Sequence, residues 1–308
     1  MKALQLGEVQ VFRIEEMVWE IPHTFLFPDL PAEALAPHMG WLRPRFFTFP
    51  DLPAEALAPH MGWLRPRFFT EDGRMRLSIH AFVVRTPHHT VLVDTCVGND
   101  KERAVVPDFH RLRTPFLARL ADQAGITPEQ VDYVFCTHFH VDHVGWNTRL
   151  VDGRWQPTFP QARYLFHRPE FEHYTGLPDD QLPASVRDSV LPVAEAGKAE
   201  LVDGGHAIGD HLVLEPTPGH TPGHCSVRIA TSRGPAVITG DLLHTPVQVH
   251  APHWSPRVDH DAAQAVATRA GFIARHAEAG SLVLGTHFAP PTACRFERNG
   301  GGHRPRFD

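Results

Sequence analysis

The sequence predicts a layered α/β fold, and three observations lead to that prediction. Short apolar runs typical of buried strands recur along the chain. Segments whose apolar residues repeat at helical spacing lie between those runs. No linker-like stretch divides the 308 residues. We therefore expect a single domain over residues 1–308, with strands and helices packed in layers.

The strand predictions rest on continuous apolar runs and on turn signals. Residues 77–84 and 90–94 form two such runs on either side of a turn at 87–89, an arrangement typical of a hairpin. Later apolar runs predict buried strands at 131–136, 162–166, 211–214, 227–229, 236–238 and 281–284.

Helices are predicted where apolar residues recur three and four positions apart. Residues 115–124 show that spacing, and Gly125 is a suitable stop signal. Residues 127–130 have the form of a short helix start. The longest predicted helix covers 261–279, where Ala262, Val266, Ala270 and Ile273 follow the helical period.

Composition excludes several classes of function. Apolar residues make up 42% of the chain, charged residues 21%, and the net charge is −6, with no basic cluster. A nucleic-acid partner is therefore not expected. No apolar run has the length of a membrane span, and the start lacks a signal-peptide core, so we expect a cytoplasmic protein. Four scattered cysteines without a C-x-x-C pair predict small buried thiols, namely Cys96, Cys136, Cys225 and Cys294.

A histidine-rich segment, T-H-F-H-V-D-H, follows the predicted strand at 131–136. His138 and His140 lie two positions apart, so in an extended chain they project to the same side. Asp142 and His143 follow where the chain turns, and they approach from another direction. These four side chains predict ligands for two neighbouring metal ions. The alternative is a chance match in a chain that contains 23 histidines.

Three further histidine or aspartate residues each follow an apolar strand directly. His220 comes after the strand at 211–214, within the sequence T-P-G-H. Asp241 and His287 come after the strands at 236–238 and 281–284. Because α/β folds gather their sites at strand ends, these residues favour a metal site over a chance match.

Together, these residues and their order resemble the metallo-β-lactamase superfamily, over a region from about Leu77 to His287. The resemblance implies a four-layer αββα sandwich with the site at one edge. It also implies two divalent metal ions, the first held by His138, His140 and His220, the second by Asp142, His143 and His287, with Asp241 bridging both. Imidazole and carboxylate ligands suit zinc, with iron, manganese and cobalt as alternatives.

Asp94 matches the aspartate of an Asp-Thr-Gly element in that family, although Cys96 here replaces the glycine. The resemblance implies that Asp94 supports a ligand histidine from behind the metal. The alternative is a turn-forming aspartate after a strand.

The family contains many activities, and sequence features narrow them. A dizinc β-lactamase would carry Arg and Cys where this chain has His143 and Asp241. Members that process nucleic acids need basic surfaces, and glyoxalase-type thioesterases carry a C-terminal substrate domain, whereas only residues 288–308 follow the last ligand. The segments 141–147 and 240–248 resemble the methyl-parathion-hydrolase-like and lactonase branch.

That branch implies hydrolysis of a lactone, aryl ester or related bond by a metal-bridging hydroxide, with phosphotriester hydrolysis as a side activity. Asp142 would accept the proton of the nucleophile, and Asp241 would bridge the ions, so both are the catalytic candidates. The expected substrate is small, apolar and ester-like. Four aromatic residues are candidates for lining its pocket, with ordinary core packing as the alternative, namely Phe109, Phe139, Trp146 and Phe166.

Other functions within the same superfamily stay open as alternatives. A glyoxalase-type thioesterase shares all seven ligands. An iron-dependent persulfide dioxygenase would need a cationic glutathione pocket, which the sequence does not reveal. A binding protein without activity would have lost a ligand, and none is missing here. No membrane partner is expected, and the formation of a homodimer stays open.

Residues 27–48 and 49–70 are identical, reading FPDLPAEALAPHMGWLRPRFFT. Two units are a tandem duplication and not a solenoid, which needs at least three. Each copy carries too much apolar surface to leave in water, so we expect the extra copy to pack over the mouth of the metal site or against a second subunit. A chain lacking residues 49–70 should still fold, because loop length changes stability only slowly.

Overall fold

The computed structural model describes residues 3–22, 60, 62–72, 74–104 and 106–307. The first copy of the duplication lies outside these residues, and the second copy is described only from His60 onwards, without Met61. The expectations for the extra copy therefore stay predictions.

The chain forms two compact units. The first consists of Met1–Met17, Ile79–Pro216 and Pro222–Ala236, and the second of Val18–Ser78, Thr217–Thr221 and Val237–Asp308. The single-domain expectation also stays a prediction.

The described residues form sixteen strands. They are β1 (Leu4–Leu6), β2 (Val9–Pro22), β3 (Arg74–Arg85), β4 (Thr90–Val93), β5 (Tyr133–Phe135), β6 (Thr148–Val151), β7 (Arg154–Pro157), β8 (Arg163–His167), β9 (Ala199–Val202), β10 (Ala207–Ile208), β11 (Leu212–Pro216), β12 (Cys225–Ile229), β13 (Ala236–Ile238), β14 (Leu282–Leu284), β15 (Ala293–Asn299) and β16 (Gly302–Arg306).

Five α-helices lie wholly within the described residues. They are α1 (Phe116–Ala124), α2 (Arg168–Thr175), α3 (Ala184–Ser189), α4 (Leu191–Glu195) and α5 (Ala262–Glu278). Short 3-10 helices cover Pro107–Phe109, Pro128–Gln130, Gly145–Asn147, Gly240–Leu242 and Pro246–Val249. No helix among the described residues has both the length and the apolar character needed to cross a bilayer.

The first unit is built on a sheet in the order β1-β2-β3-β4-β5-β8-β9. The predicted hairpin is confirmed, because β3 and β4 pair antiparallel with Phe82 opposite Val93. Strands β4, β5, β8 and β9 are parallel neighbours. Parallel strands present their carboxyl ends at one edge. The segments that follow β4 and β5, which carry Asp94 and His138, therefore meet there.

Local signals account for the predicted helices. Helix α1 buries Phe116, Leu120 and Ala124 and ends at Gly125, whose φ of 65° is the left-handed conformation that favours glycine. In the second unit, helix α5 begins where the Asp261 side chain accepts a hydrogen bond from the Gln264 amide at 2.9 Å. Both predicted helices are confirmed, and each end lies within one residue of its predicted position.

Strands β13 and β14 in the second unit are neighbours, followed by the hairpin β15–β16 at the sheet edge. Strand β15 alternates partly buried and buried positions, with Cys294 and Phe296 buried. Arg295 and Glu297 lie at partly buried positions between and after them, so the strand has no continuous apolar run and was not predicted from the sequence. All four cysteines are buried and free, as expected.

A buried lysine in the first unit has an unusual environment. The Lys101 ammonium donates to Thr148 Oγ1 at 2.6 Å and lies 3.5 Å from the centre of the Trp155 ring. Burial lowers the pKa of Lys101 to about 7, although the Asp188 carboxylate at 3.5 Å acts in the opposite direction. Arg103 binds the same carboxylate at 2.7 Å. One buried carboxylate thus serves two cations.

This lysine makes stability depend on pH in a defined direction. In the unfolded chain Lys101 keeps its proton up to a pKa of 10.5, whereas the folded chain releases it near pH 7. Between those values the unfolded state binds more protons, so the free energy of unfolding rises with pH, by roughly 1 kcal/mol per unit. We expect Lys101→Met to remove this rise. Denaturant unfolding at pH 7, 8 and 9 measures it, and parallel pH profiles of variant and parent would contradict the assignment.

Candidate functional site

The histidine-rich segment of the first unit leaves β5 and bends at once. Strand β5 ends at Phe135, and residues 137–143 form bends and turns, whereas an extended segment was expected for His138 and His140. The bends still bring the imidazoles together. The ring centres of His138 and His140 are 4.6 Å apart, and those of His138 and His143 are 4.1 Å apart. The His143 Nε2 atom lies 3.6 Å from Asp142 Oδ1.

Asp94 fixes the orientation of this segment. It follows β4 with a φ of 61° and accepts hydrogen bonds from the Thr137 amide at 2.8 Å and from His143 Nδ1 at 3.0 Å. The Thr95 amide also donates to the His143 carbonyl at 2.8 Å. Asp94 therefore contacts His143, as the resemblance implied for an aspartate that supports a ligand histidine.

Glu170, on helix α2, is a second buried carboxylate that holds this segment. Its Oε1 accepts from the Phe139 amide and its Oε2 from the Gly223 amide, both at 2.9 Å. The side chain thus links the histidine-rich segment to the turn before β12. His224 in that turn is buried, and its ring centre lies 5.3 Å from that of His138.

In the second unit, three histidines surround Asp241. His287 Nε2 lies 2.9 Å from Asp241 Oδ1, and His220 Nε2 lies 3.4 Å from Oδ2. The third is His244, whose Nε2 lies 3.2 Å from Oδ2. All four residues are buried. The ligand atoms of Asp241, His244 and His287 lie within 4.8 Å of one another, close enough to hold a metal ion.

In two of these histidines, the Nδ1 atom on the side of the ring away from Asp241 also contacts a protein oxygen. His220 Nδ1 lies 2.8 Å from Asp259 Oδ1, and His287 Nδ1 lies 3.1 Å from the Ser78 carbonyl. Asp259 is itself held by Arg269 at 3.2 Å and by the Ser255 hydroxyl. These partners fix the ring planes and direct Nε2 toward Asp241.

The buried charges of the second unit stabilise one another. Burial alone would lower the pKa of His220, but hydrogen bonds to the Asp241 and Asp259 carboxylates outweigh it and raise that pKa to about 9. Burial raises the pKa of Asp259, yet the His220 hydrogen bond and the nearby Arg269 bring it down to about 2. Burial lowers the pKa of His244. Asp259 is therefore a permanent anion behind the His220 ring.

Four histidines share one arrangement. Each has its Nδ1 against a protein oxygen, and the partners are Thr137 Oγ1 for His138, Asp94 for His143, Asp259 for His220 and the Ser78 carbonyl for His287. A neutral imidazole that donates through Nδ1 presents the lone pair of Nε2, and His220 would present it on losing its second proton to metal binding. Nε2 lone pairs beside carboxylates are a ligand set for a divalent transition metal, so the residues present fit such an ion.

The structure thus places the predicted residues in two groups. The first unit holds His138, His140, Asp142 and His143, and the second holds His220, Asp241 and His287. Their assignment as ligands stays a prediction. Sequence reasoning missed Asp259 and Glu170, because a single carboxylate in a loop or helix carries no spacing signal. His244, which is not among the predicted ligands, lies beside Asp241.

The aromatic residues proposed as pocket lining belong to the core of the first unit. Phe139 packs against Phe166 with ring centres 5.0 Å apart, and Trp146 stacks on Phe116 at 5.4 Å. Phe109 is buried as well. These side chains therefore pack as ordinary core residues, which was the alternative to a pocket lining, and they give no information about the substrate.

Comparison with known proteins identifies relatives. The family model described as metallo-beta-lactamase superfamily matches residues 74–284. An N-acyl homoserine lactonase of Bacillus sp. is 25% identical over 182 residues, which are 55% of this chain and 65% of the relative. A probable metallo-hydrolase of Mycobacterium tuberculosis is 29% identical over 181 residues, 54% of this chain and 57% of the relative. The matches therefore span less than two thirds of these relatives.

Solved structures resemble the whole chain. The hydrolase AbOPH of the beta lactamase superfamily has a TM-score of 0.76 and 23% identity, covering 100% of this chain and 97% of its own. The dizinc quorum-quenching lactonase AidC has a TM-score of 0.73 and 19% identity, with the same coverage. At these identities the likeness concerns the fold, and it confirms the mixed α/β class that the sequence predicted.

Proposed function

Because the chain belongs to the metallo-beta-lactamase superfamily, we propose that it is a metal-dependent hydrolase. One observation carries the proposal. Four buried histidines hold their Nδ1 atoms against protein oxygens and present Nε2, two of them directly to Asp241 and one to Asp142. Such orientation is what metal ligands require, and it has no evident use in a purely structural core.

The proposed ligand set for two divalent ions is the one that the resemblance implies. His138, His140 and His220 would hold the first ion, Asp142, His143 and His287 the second, and Asp241 both. Zinc is the proposed metal, because the set contains imidazole and carboxylate but no thiolate, and iron, manganese and cobalt accept the same donors. The structural relative AidC is described as dizinc.

When bound, the ions would activate water at neutral pH and polarise the carbonyl of the substrate. The chain itself would supply orientation and proton transfer. Asp142 is 14% exposed at its side chain, so its carboxylate is accessible enough to accept a proton from the attacking water. Asp94 and Asp259 would keep the rings of His143 and His220 in place. His244, beside Asp241, would face the reacting group.

The proposed substrate is a small neutral lactone or aryl ester, with phosphotriester hydrolysis as a side activity. The N-acyl homoserine lactonase of Bacillus sp. supports the lactone by kinship. Activated water and a Lewis acid suit carbonyl and phosphoryl centres alike. A cytoplasmic location stays an expectation from the sequence, and the formation of a homodimer stays open.

A substrate panel tests the proposal. Metal-loaded protein should hydrolyse at least one member of a series of N-acyl homoserine lactones, aryl esters and phosphotriesters, and stripping the metal should abolish that activity. Thioester turnover above lactone turnover would instead favour the glyoxalase-type alternative. Oxygen consumption with a persulfide, without hydrolysis, would contradict the proposal and favour the dioxygenase.

Asp259→Asn is expected to weaken metal binding. The amide keeps the size of the side chain but removes the charge that fixes the His220 tautomer, and losses of this kind reduce metal affinity by about 10- to 100-fold. Competition with a chelator measures the affinity. The exposed Asp210→Asn is the matched control. An Asp259→Asn protein with parental metal affinity would show that Asp259 only stabilises the fold.

A further inference from the structure

The second unit contains a cavity that uses none of the proposed metal ligands. Its volume is about 580 Å³, within the range of small-molecule sites, which spans roughly 300 to 1,000 Å³. One wall comes from the second copy of the duplication, with His60, Trp63 and Arg67. The other walls come from His250 and from the end of the chain around β16.

Rings form much of the lining. The imidazoles of His60 and His250 lie with their centres 4.5 Å apart, and Trp63 lies 5.9 Å from His250. Phe68 and Phe307 are 5.1 Å apart. Burial lowers the pKa of both His60 and His250, which favours the neutral form of each imidazole. The lining thus offers flat, uncharged surfaces on which an aromatic ring can stack.

The rim of the cavity is cationic. Arg67, Arg304 and Arg306 line it, and all three are exposed. Glu297 is the acidic partner of two of them, at 3.3 Å from Arg304 and 3.0 Å from Arg306. Within the part of the chain that the structure describes, Arg67 forms no hydrogen bond or ion pair. Among the described residues, the rim therefore carries three guanidinium groups, two of which share one carboxylate, in a chain whose net charge is −6.

We propose that this cavity binds a small aromatic carboxylate, with the ring among Trp63, His60 and His250 and the carboxylate at Arg67. Guanidinium groups bind carboxylates with two parallel, charge-assisted hydrogen bonds, whereas the matching amide offers one acceptor oxygen and no charge. The site goes beyond the proposed hydrolysis, since none of its lining residues is a proposed metal ligand. The sequence does not reveal this cationic rim, because Arg67 and Arg304 are far apart along the chain.

Calorimetric titration of the metal-loaded protein with 2-naphthoate tests the proposal. We expect saturable binding of one molecule per chain. The neutral 2-naphthamide should bind about tenfold more weakly, since it lacks the charge, and cyclohexanecarboxylate should also bind more weakly, since it lacks the ring. Absence of saturable naphthoate binding, or equal affinity for the amide, would overturn the proposal.

Point substitutions locate the site, and the duplication supplies matched controls. Arg67→Gln should weaken naphthoate binding about tenfold and leave naphthamide binding unchanged, because only the carboxylate contacts this exposed side chain. Arg45→Gln introduces the same change into the identical sequence of the first copy and should leave both affinities unaltered. Deletion cannot distinguish the copies, because removing either one yields the same chain.

A second pair of variants separates the cavity from the metal ions, which also bind carboxylates. Trp63→Ala should weaken both naphthoate and naphthamide, while Trp41→Ala should weaken neither. Naphthoate binding that disappears with the metal but is unchanged in Arg67→Gln would place the ligand at the metal ions and overturn the proposal. Equal losses in Arg45→Gln and Arg67→Gln would also overturn it.

Discussion

Asp241→Ala is expected to eliminate hydrolysis, with kcat/KM reduced by about 10³-fold or more. The carboxylate lies 2.9 Å from His287 Nε2 and 3.4 Å from His220 Nε2, and in the proposed site it contacts both ions. Its loss removes a ligand from each ion and leaves the buried imidazoles without the anion between them. Metal analysis of the purified variant should therefore show less than the parental metal content.

Two controls make this result specific. Asp210→Ala removes an exposed carboxylate elsewhere in the chain and should preserve both activity and metal content. Circular dichroism of Asp241→Ala should show a folded protein. An Asp241→Ala protein that is fully metallated and active would rule out the proposed site.

Gly145→Ala is expected to destabilise the protein by about 3 kcal/mol, with a lower Tm and weaker metal binding. A Cβ atom at this position would lie 1.7 Å from the Val97 carbonyl oxygen, which is far inside any permitted contact. The Gly145 amide also donates to the Cys96 carbonyl at 2.7 Å. The two segments must separate to admit the methyl group, and His143 lies two residues before the glycine.

Gly62→Ala provides the comparison, because a Cβ atom there meets no atom within 4 Å. Thermal unfolding of the two variants and the parent, all metal-loaded, measures the difference. If Gly145→Ala unfolds at the parental temperature, the close approach of these two segments is not required for stability.

The elements that position the first group were predictable from the sequence. The apolar runs at 90–94 and 131–136 became the parallel strands β4 and β5, and Asp94 and His138 follow them at one sheet edge. In the second unit, β13 and β14 lead to Asp241 and His287 in the same way. Functional residues gather at strand ends because the sheet holds the loops that follow its strands at one edge. The hydrophobic pattern of the sequence shows where each strand ends.

Residues that act through tertiary contacts were not predictable. Asp259 lies 39 residues after His220 and reaches its ring because the neighbouring His260 amide donates to the His220 carbonyl. Glu170 joins the Phe139 and Gly223 amides in a similar way. Neither carboxylate has a partner at a fixed spacing in sequence. The bends after Phe135 were also not predicted. The spacing of His138 and His140 is compatible with an extended segment and with a bent one, because either conformation can bring the two side chains close together.

The most direct test of the central claim is a metal titration of activity. Protein stripped with a chelator is titrated with Zn²⁺, and hydrolysis of the best substrate from the panel is followed at each ratio of metal to chain. The proposal predicts no activity without metal and a plateau at about two equivalents per chain. Full activity of the stripped protein, or a chain that takes up no metal, would contradict it.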